Sequence, residues 1–160
     1  RWLWFENHKM EVYLLSKEIS MKNKFLIVEA NFYEEISDHL RNGARNEFEK
    51  LNFEYDIISV PGALEIPTAI SIMSEKRNYK GYVALGCVIQ GETTHYDIVC
   101  NNSSKGLMDL SINKKLAIGN GILNVNNFSQ ALERAMVNKK NKGGFAAKSA
   151  ISLASLKNEN

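Results

Sequence analysis

The chain has 160 residues, of which 44% are apolar and 24% are charged, and its formal net charge is +2 from 20 basic and 18 acidic residues. This length and composition predict one globular domain and exclude a largely disordered chain. The near balance of charges does not support a nucleic-acid-binding or membrane-surface protein, and no apolar run approaches the ~18 residues that a membrane-spanning helix needs.

The first 20 residues, RWLWFENHKMEVYLLSKEIS, are rich in aromatic and long apolar side chains. They do not fit a secretory signal peptide, because no small-residue cleavage site follows them. Met21 directly precedes a lysine-rich stub and the first clear strand. We therefore expect a single domain at 21–160 and an N-terminal extension at 1–20. Whether the extension belongs to the natural protein is left open.

Predicted strands and helices alternate from residue 25 onward. FLIVEA (25–30) is nearly all apolar, which is typical of a strand buried on both faces. Apolar residues then recur at spacings of three and four, which predicts an amphipathic helix over 34–51. The later elements are predicted as a strand at 55–60, a helix from 65, a strand at 82–90, a helix from 94 past 110, a strand at 116–125, a helix around 128–136, a break at 138–144 and a last helix ending near 156.

Alternating strands and helices require crossover connections and hence a parallel sheet covered on both faces. We expect an α/β three-layer sandwich with a four-stranded parallel sheet, similar to a flavodoxin. Ligands of such sheets bind beyond the carboxyl ends of the strands. This rule selects four candidate loops, at 31–33, 61–65, 90–95 and near 120–121.

The loop after the third strand, GETTH (91–95), combines a glycine, an acid, two hydroxyls and a histidine. Thr94 to Asp97 predicts a capping box, which would leave first-turn N–H groups facing this loop. Those donors and the helix dipole favour a phosphate or carboxylate by about 0.3–1 kcal/mol, and an imidazole can exchange protons near neutral pH. Taken alone, this stretch favours the alternative, an ordinary capped helix with a surface histidine.

Two further segments carry candidate binding groups. In VPGALEIP (60–67), a tight turn precedes Glu65, and its carboxylate and loop amides could hold an amide-rich heterocycle. Arg134 could bind a phosphate through two N–H groups. A capped connection and a solvated helix-end cation are the alternatives, since lysines cluster near the end of the same helix.

Cys87 and Cys100 form no metal-spaced pair, and we predict no metal site. Both are expected to be buried free thiols in a reducing compartment, which favours a cytoplasmic protein.

Taken together, VPGALEIP, ALGCVIQGETTHYD, SKGLMDLS, NGIL, QALERA and NKGG occur in this order and at these separations. From about residue 25 to 156 the chain resembles the 6,7-dimethyl-8-ribityllumazine synthases of riboflavin biosynthesis. The resemblance implies a transferase that condenses 5-amino-6-(D-ribitylamino)uracil with 3,4-dihydroxy-2-butanone 4-phosphate. It implies release of phosphate and water, with no metal or organic cofactor.

The resemblance also implies a role for each matching residue. His95 would transfer protons, the aromatic side chain after the first strand would stack on the pyrimidine, and the GET loop with Arg134 would bind phosphate. The PGALE turn and the end of the third strand would hold the pyrimidine and the ribityl chain. The implied substrate-binding residues are Phe32, Ala63, Leu64, Glu65, Val88, Ile89, Gly91, Glu92, Thr93, Asn120, Arg134 and Lys142.

The family's sites lie between subunits of a homopentamer, and some members assemble twelve pentamers into a 60-subunit shell. We favour a free pentamer with two small-molecule substrates and with neither nucleic acid nor membrane as a partner. Asn120 stands where many members have phenylalanine, and Gln90 and Asn31 stand where arginine is common. The alternatives are a non-catalytic flavin- or lumazine-binding or shell-forming protein of the same fold, and an unrelated phosphate-sugar enzyme.

Overall fold

The structure is a computed structural model that describes residues 9–12 and 24–158. Most of the predicted N-terminal extension therefore lies outside the described residues, and the division at residue 21 stays a prediction. The strands are β1 (Lys24–Ala30), β2 (Glu54–Val60), β3 (Gly81–Ile89) and β4 (Ile118–Val125). The helices of 24–158 are α1 (Glu34–Lys50), α2 (Glu65–Lys76), α3 (His95–Asn113), α4 (Phe128–Ala135) and α5 (Lys142–Asn158).

The four strands form one parallel sheet in the order β2-β1-β3-β4, with helices on both faces. Alternate residues of β1 point into opposite cores, as the two-residue period of a strand requires. Phe25 and Ile27 pack with α1, α4 and α5, whereas Leu26 and Val28 pack with α2 and α3. The predicted three-layer α/β fold is confirmed. Within the described residues, no helix is both long enough and apolar enough to cross a membrane.

A buried carboxylate fixes the carboxyl end of β1. Glu29 is only 4% exposed. Its two oxygens accept from Arg41 Nε at 2.8 Å and Arg41 Nη2 at 2.9 Å, and Ser59 Oγ donates to Oε1 at 3.1 Å. Because these partners come from α1 and β2, the network ties three elements together just before the β1–α1 loop. Removing one partner of such a pair would leave a buried charge uncompensated, so separating these three elements is costly.

Two local predictions were wrong. The loop expected near 120–121 lies inside β4, because the glycines beside Asn120 keep strand geometry and make room for α5. A Cβ atom at Gly119 would collide with the carbonyl oxygen of Ala146. The break expected at 138–144 is also shorter than predicted, since α5 already begins at Lys142. There Gly143 and Gly144 belong to the helix, and Gly143 allows close packing on Leu40 of α1.

Candidate active site

A cavity of about 480 Å³ lies at the carboxyl edge of the sheet, where three of the four predicted loops meet. Its walls come from the β1–α1 loop, the β2–α2 turn, the end of β3 and the first turns of α3. A site at this edge is the position that the parallel topology favours. The residues predicted from sequence that line it are Phe32, Ala63, Leu64, Glu65, Val88, Ile89 and His95.

The β1–α1 loop supplies an aromatic wall. Phe32 is 75% exposed, although large aromatic side chains are usually covered. Its ring centroid lies 5.0 Å from that of Tyr33, and the rings are steeply inclined at 80°. This edge-to-face contact orients the Phe32 ring and leaves a flat face open. The loop is therefore suited to stacking on a planar ligand.

The β2–α2 turn places a carboxylate beside the cavity. The N–H of Glu65 donates to the Gly62 carbonyl at 3.2 Å, and the N–H of Ile66 donates to the Ala63 carbonyl at 3.3 Å. Glu65 is the first residue of α2, where the helix dipole favours a negative charge. A Cβ atom at Gly62 would lie 3.0 Å from Glu65 Oε2, so the glycine leaves room for the carboxylate.

The loop before α3 differs from the predicted capping box. Thr94 has helical dihedral angles (φ −69°, ψ −3°), and in the described structure its side chain makes no capping hydrogen bond. A capping side chain needs the extended backbone that Thr94 does not adopt. Instead, Thr93 Oγ1 accepts a long 3.4 Å hydrogen bond from the N–H of His95. A reciprocal cap is found at α4, where Asn127 Oδ1 accepts from Gln130 N–H at 2.9 Å and Gln130 Oε1 accepts from Asn126 N–H at 2.8 Å.

The predicted phosphate loop is exposed and adjoins the cavity through His95 without lining it. Gly91, Glu92 and Thr93 are all exposed, and His95, the first residue of α3, reaches the cavity wall. A Cβ atom at Gly91 would meet no described atom within 4 Å. The fold of a single chain therefore does not require glycine there, and the space beside the backbone is open to a ligand.

Three predicted residues lie away from the cavity, in a group that we call the β4 edge group: Asn120, Arg134 and Lys142. Asn120 is the third residue of β4 and pairs with Ala84, roughly 16 Å before the end of the strand at about 3.3 Å per residue. Arg134 Nη1 donates back to the Gln130 carbonyl of its own helix at 3.1 Å. Lys142 opens α5, which packs on β4. A single chain thus holds the predicted site residues in two separate places.

Five residues line the cavity without having been predicted as site residues: Tyr33, Pro61, Gly62, Cys87 and Val99. The first three fall in loops selected by the strand-end rule. Val99 follows His95 by four residues, a spacing that puts both on one face of α3. Only Cys87 gave no signal, because it lies within an apolar strand. Burial raises the pKa of Cys87 to about 11, so it presents a neutral thiol at physiological pH.

No three His, Cys, Asp or Glu side chains in 9–12 and 24–158 are grouped so that they could hold a metal ion. The exposed polar groups of the cavity are instead a carboxylate and an imidazole on the first residues of two neighbouring helices. Beside them are a flat aromatic face and an open glycine loop. This arrangement can hold a planar heterocycle next to an anion and exchange protons between them.

Comparison with known proteins gives one family. The family model of 6,7-dimethyl-8-ribityllumazine synthase matches residues 22–158. A protein of that name from Bartonella tribocorum is 56% identical over 144 residues, which cover 89% of this chain and 95% of the relative. Its namesake from Agrobacterium fabrum is 50% identical over 141 residues, covering 85% of this chain and 95% of the relative. The chain belongs to the 6,7-dimethyl-8-ribityllumazine synthase family.

Proposed function

We propose that this chain condenses 5-amino-6-(D-ribitylamino)uracil with 3,4-dihydroxy-2-butanone 4-phosphate to form 6,7-dimethyl-8-ribityllumazine, releasing phosphate and water. The observation that carries the proposal is the shared cavity of Phe32, Glu65 and His95 at the edge that also bears the 91–93 loop. In a member of this family, these groups match the needs of a planar pyrimidine, a phosphate ester and a proton transfer.

The pyrimidine is assigned to the apolar part of the cavity. Its ring stacks on the open face of Phe32, while the wall of Val88 and Ile89 covers its edge. The Ala63–Glu65 turn holds the pyrimidine and the ribityl chain, since Glu65 can accept hydrogen bonds from N–H and hydroxyl groups. A pyrimidine bound against this wall directs its amine toward the exposed loop at 91–93.

The phosphate is assigned to the 91–93 loop. The open space at Gly91 lets oxygens approach the backbone amides, and the start of α3 adds the positive end of a helix dipole. Phosphate is a binding group early in the reaction and a leaving group later. Donors aimed at its oxygens therefore stabilise charge at both stages.

His95 is assigned the proton transfers. The uracil amine attacks the ketone carbon, and loss of water from that adduct gives an imine. Removal of a proton from the carbon chain then allows the phosphate to leave with the C–O bonding electrons. The enol so formed takes a proton on its terminal carbon and becomes a ketone. The second amine closes the ring on that carbonyl, and water is lost again. His95 lines the cavity and closely follows the 91–93 loop in the chain, so its imidazole can take and return these protons.

Holding two substrates in register supplies much of the acceleration, because orientation alone is worth about 7–11 kcal/mol. We therefore expect the histidine to assist a reaction that positioning already favours.

We further propose that the site is completed between subunits of a homopentamer. Support comes from the β4 edge group, whose Arg134 and Lys142 do not line the cavity of their own chain. In a closed ring, the edge of one subunit can meet the cavity of the next. Arg134 would then bind the phosphate held by the neighbour's loop. A free pentamer in the cytoplasm remains our proposal, with a 60-subunit shell as the alternative for light scattering to distinguish.

The direct test incubates the purified chain with both substrates and follows lumazine absorbance and released phosphate in the same reaction. The proposal expects equal amounts of both products and no product when either substrate is omitted. Tight flavin or lumazine binding without phosphate release would instead identify a non-catalytic binding protein of the same fold.

A further inference from the structure

Phe145 is a large aromatic residue displayed on the surface beside a predicted ligand-binding lysine. It lies in the first turn of α5 and is 63% exposed. The Nζ atom of Lys142 lies 5.4 Å from the centroid of its ring. The two residues are three positions apart, so they share one face of the helix. Wherever Lys142 meets a ligand, the Phe145 ring is within reach of the same ligand.

The turn that carries this pair is held by hydrogen bonds and by a close contact with α1. Asn141 has a left-handed φ of 46°, its Oδ1 accepts from the N–H of Gly144 at 3.2 Å, and its carbonyl accepts from the N–H of Phe145 at 3.0 Å. A Cβ atom at Gly143 would collide with the carbonyl oxygen of Leu40 in α1. The backbone is thus held by contacts on both sides, and the aromatic ring it carries is exposed.

The same turn rests against the strand that carries Asn120. A Cβ atom at Gly121 would lie 3.1 Å from the Ala146 Cβ, and Ala146 itself is buried. Phe145 is the residue before Ala146 in the first turn of α5, and it does not line the cavity of its own chain. Like the β4 edge group, it lies apart from that cavity.

We propose that Phe145 packs against the pyrimidine bound in the neighbouring subunit's cavity, with Lys142 beside it. This inference rests on the proposed function and on the shared site. A pyrimidine stacked on Phe32 has a second face that this contact leaves uncovered. Another aromatic ring can pack on that face. The ammonium of Lys142 can donate to a carbonyl oxygen of the same heterocycle. Phe145 is thus a binding residue for the uracil substrate that acts together with Lys142.

The test compares Phe145→Ala with Phe145→Tyr and with Leu156→Ala. Leu156 is a matched control because it is on the same helix and is also 63% exposed. Loss of one aromatic contact should raise the KM for the pyrimidine about three- to tenfold. The KM for the phosphate substrate and kcat should change less than about twofold, because the ring does not touch the reacting atoms. Leu156→Ala should behave like the parent chain, and Phe145→Tyr, which keeps an aromatic ring, should have a lower KM for the pyrimidine than Phe145→Ala.

Calorimetric titration with the pyrimidine alone gives a readout that does not depend on turnover. A weaker Kd in Phe145→Ala, with the assembly unchanged in light scattering, supports the inference. An unchanged Kd, an equal loss for both substrates, or dissociation of the assembly overturns it, since each indicates a surface or interface role. Failure of the proposed function itself would be seen separately, as absence of product with the parent chain.

Discussion

Gly106 of α3 lies against Pro67 of α2 so closely that a Cβ atom on Gly106 would fall 2.8 Å from the Pro67 Cβ. The ring Cγ would be only 2.9 Å away. Glu65 and His95, the first residues of these two helices, lie on the walls of the cavity. The glycine–proline contact therefore sets how closely the helices that carry the carboxylate and the imidazole can approach each other.

Gly106→Ala should force the two helices apart. We expect the free energy of unfolding to fall by about 1–3 kcal/mol, the usual cost of overpacking, and kcat/KM to fall with it. Adding Pro67→Gly removes both opposing atoms, the Cβ and the ring Cγ, and should restore part of both losses. Denaturant titration and steady-state kinetics on the single and double variants measure this. Simple additivity of the two substitutions would show that the contact does not set the spacing.

His95→Ala should slow turnover without abolishing it. General acid–base catalysis contributes about 10²–10⁴-fold, whereas substrate positioning survives the substitution. We expect kcat to fall within that range and both KM values to change little. His39→Ala, in the partly buried middle of α1, is the matched control and should keep near-normal kcat. A complete loss of turnover in a folded, substrate-binding His95→Ala chain would contradict the assigned role.

Gly91→Ala should weaken binding of the phosphate substrate without lowering the stability of the fold. Within 24–158 no glycine has a positive φ, and a methyl group at Gly91 would meet no described atom within 4 Å. The free energy of unfolding should therefore stay constant or rise by about 0.4–1 kcal/mol. The KM for the phosphate substrate should rise at least about tenfold if the methyl group blocks charge-assisted hydrogen bonds. Normal KM for that substrate would place the phosphate elsewhere.

Subunits that each lack one half of the site should complement one another. Chains carrying His95→Ala and chains carrying Arg134→Ala are unfolded together, mixed equally and refolded. If the site is shared, about one quarter of the sites in a random ring combine an intact histidine with an intact arginine. Activity should then recover well above that of either variant refolded alone. Recovery no greater than the sum of the two variants would mean that each chain builds its own site.

Alkaline pH should destabilise the fold through its buried tyrosines. Burial raises the pKa of Tyr82 to about 12 from an ordinary value of 10.0. Between these values the unfolded chain binds fewer protons than the folded chain, so the free energy of unfolding falls as pH rises. Below about pH 10 the effect is absent because both states keep the proton.

Tyr82→Phe should flatten this decline. Part of the decline should remain, because Tyr79 also contributes to it. Burial and a 2.6 Å hydrogen bond to Asp56 raise the pKa of Tyr79 to about 12 as well. Denaturant titrations at pH 9 and pH 11 compare the parent chain with Tyr82→Phe. An identical decline in both chains would show that Tyr82 does not titrate in that interval.

The described fold follows closely from local patterns. Within 24–158, continuous apolar runs and the three-to-four spacing of helix faces predicted each strand and helix to within a few residues, because these periods are properties of neighbouring side chains. The strand-end rule then located the cavity. Local pattern failed at Thr94, whose capping motif is present in sequence although its backbone is helical. It also failed at Asn120, whose flanking glycines make room for a distant helix and do not end the strand.

The sequence by itself determined the family, the order of the elements and the chemistry available at the strand ends. Only the tertiary structure decided which of those groups share one cavity and which lie apart from it, in the β4 edge group. The physical reason is that a cavity is assembled by strand register and helix packing between residues far apart in the chain. The spacing of residues along the chain does not give the distances between such residues in the folded protein.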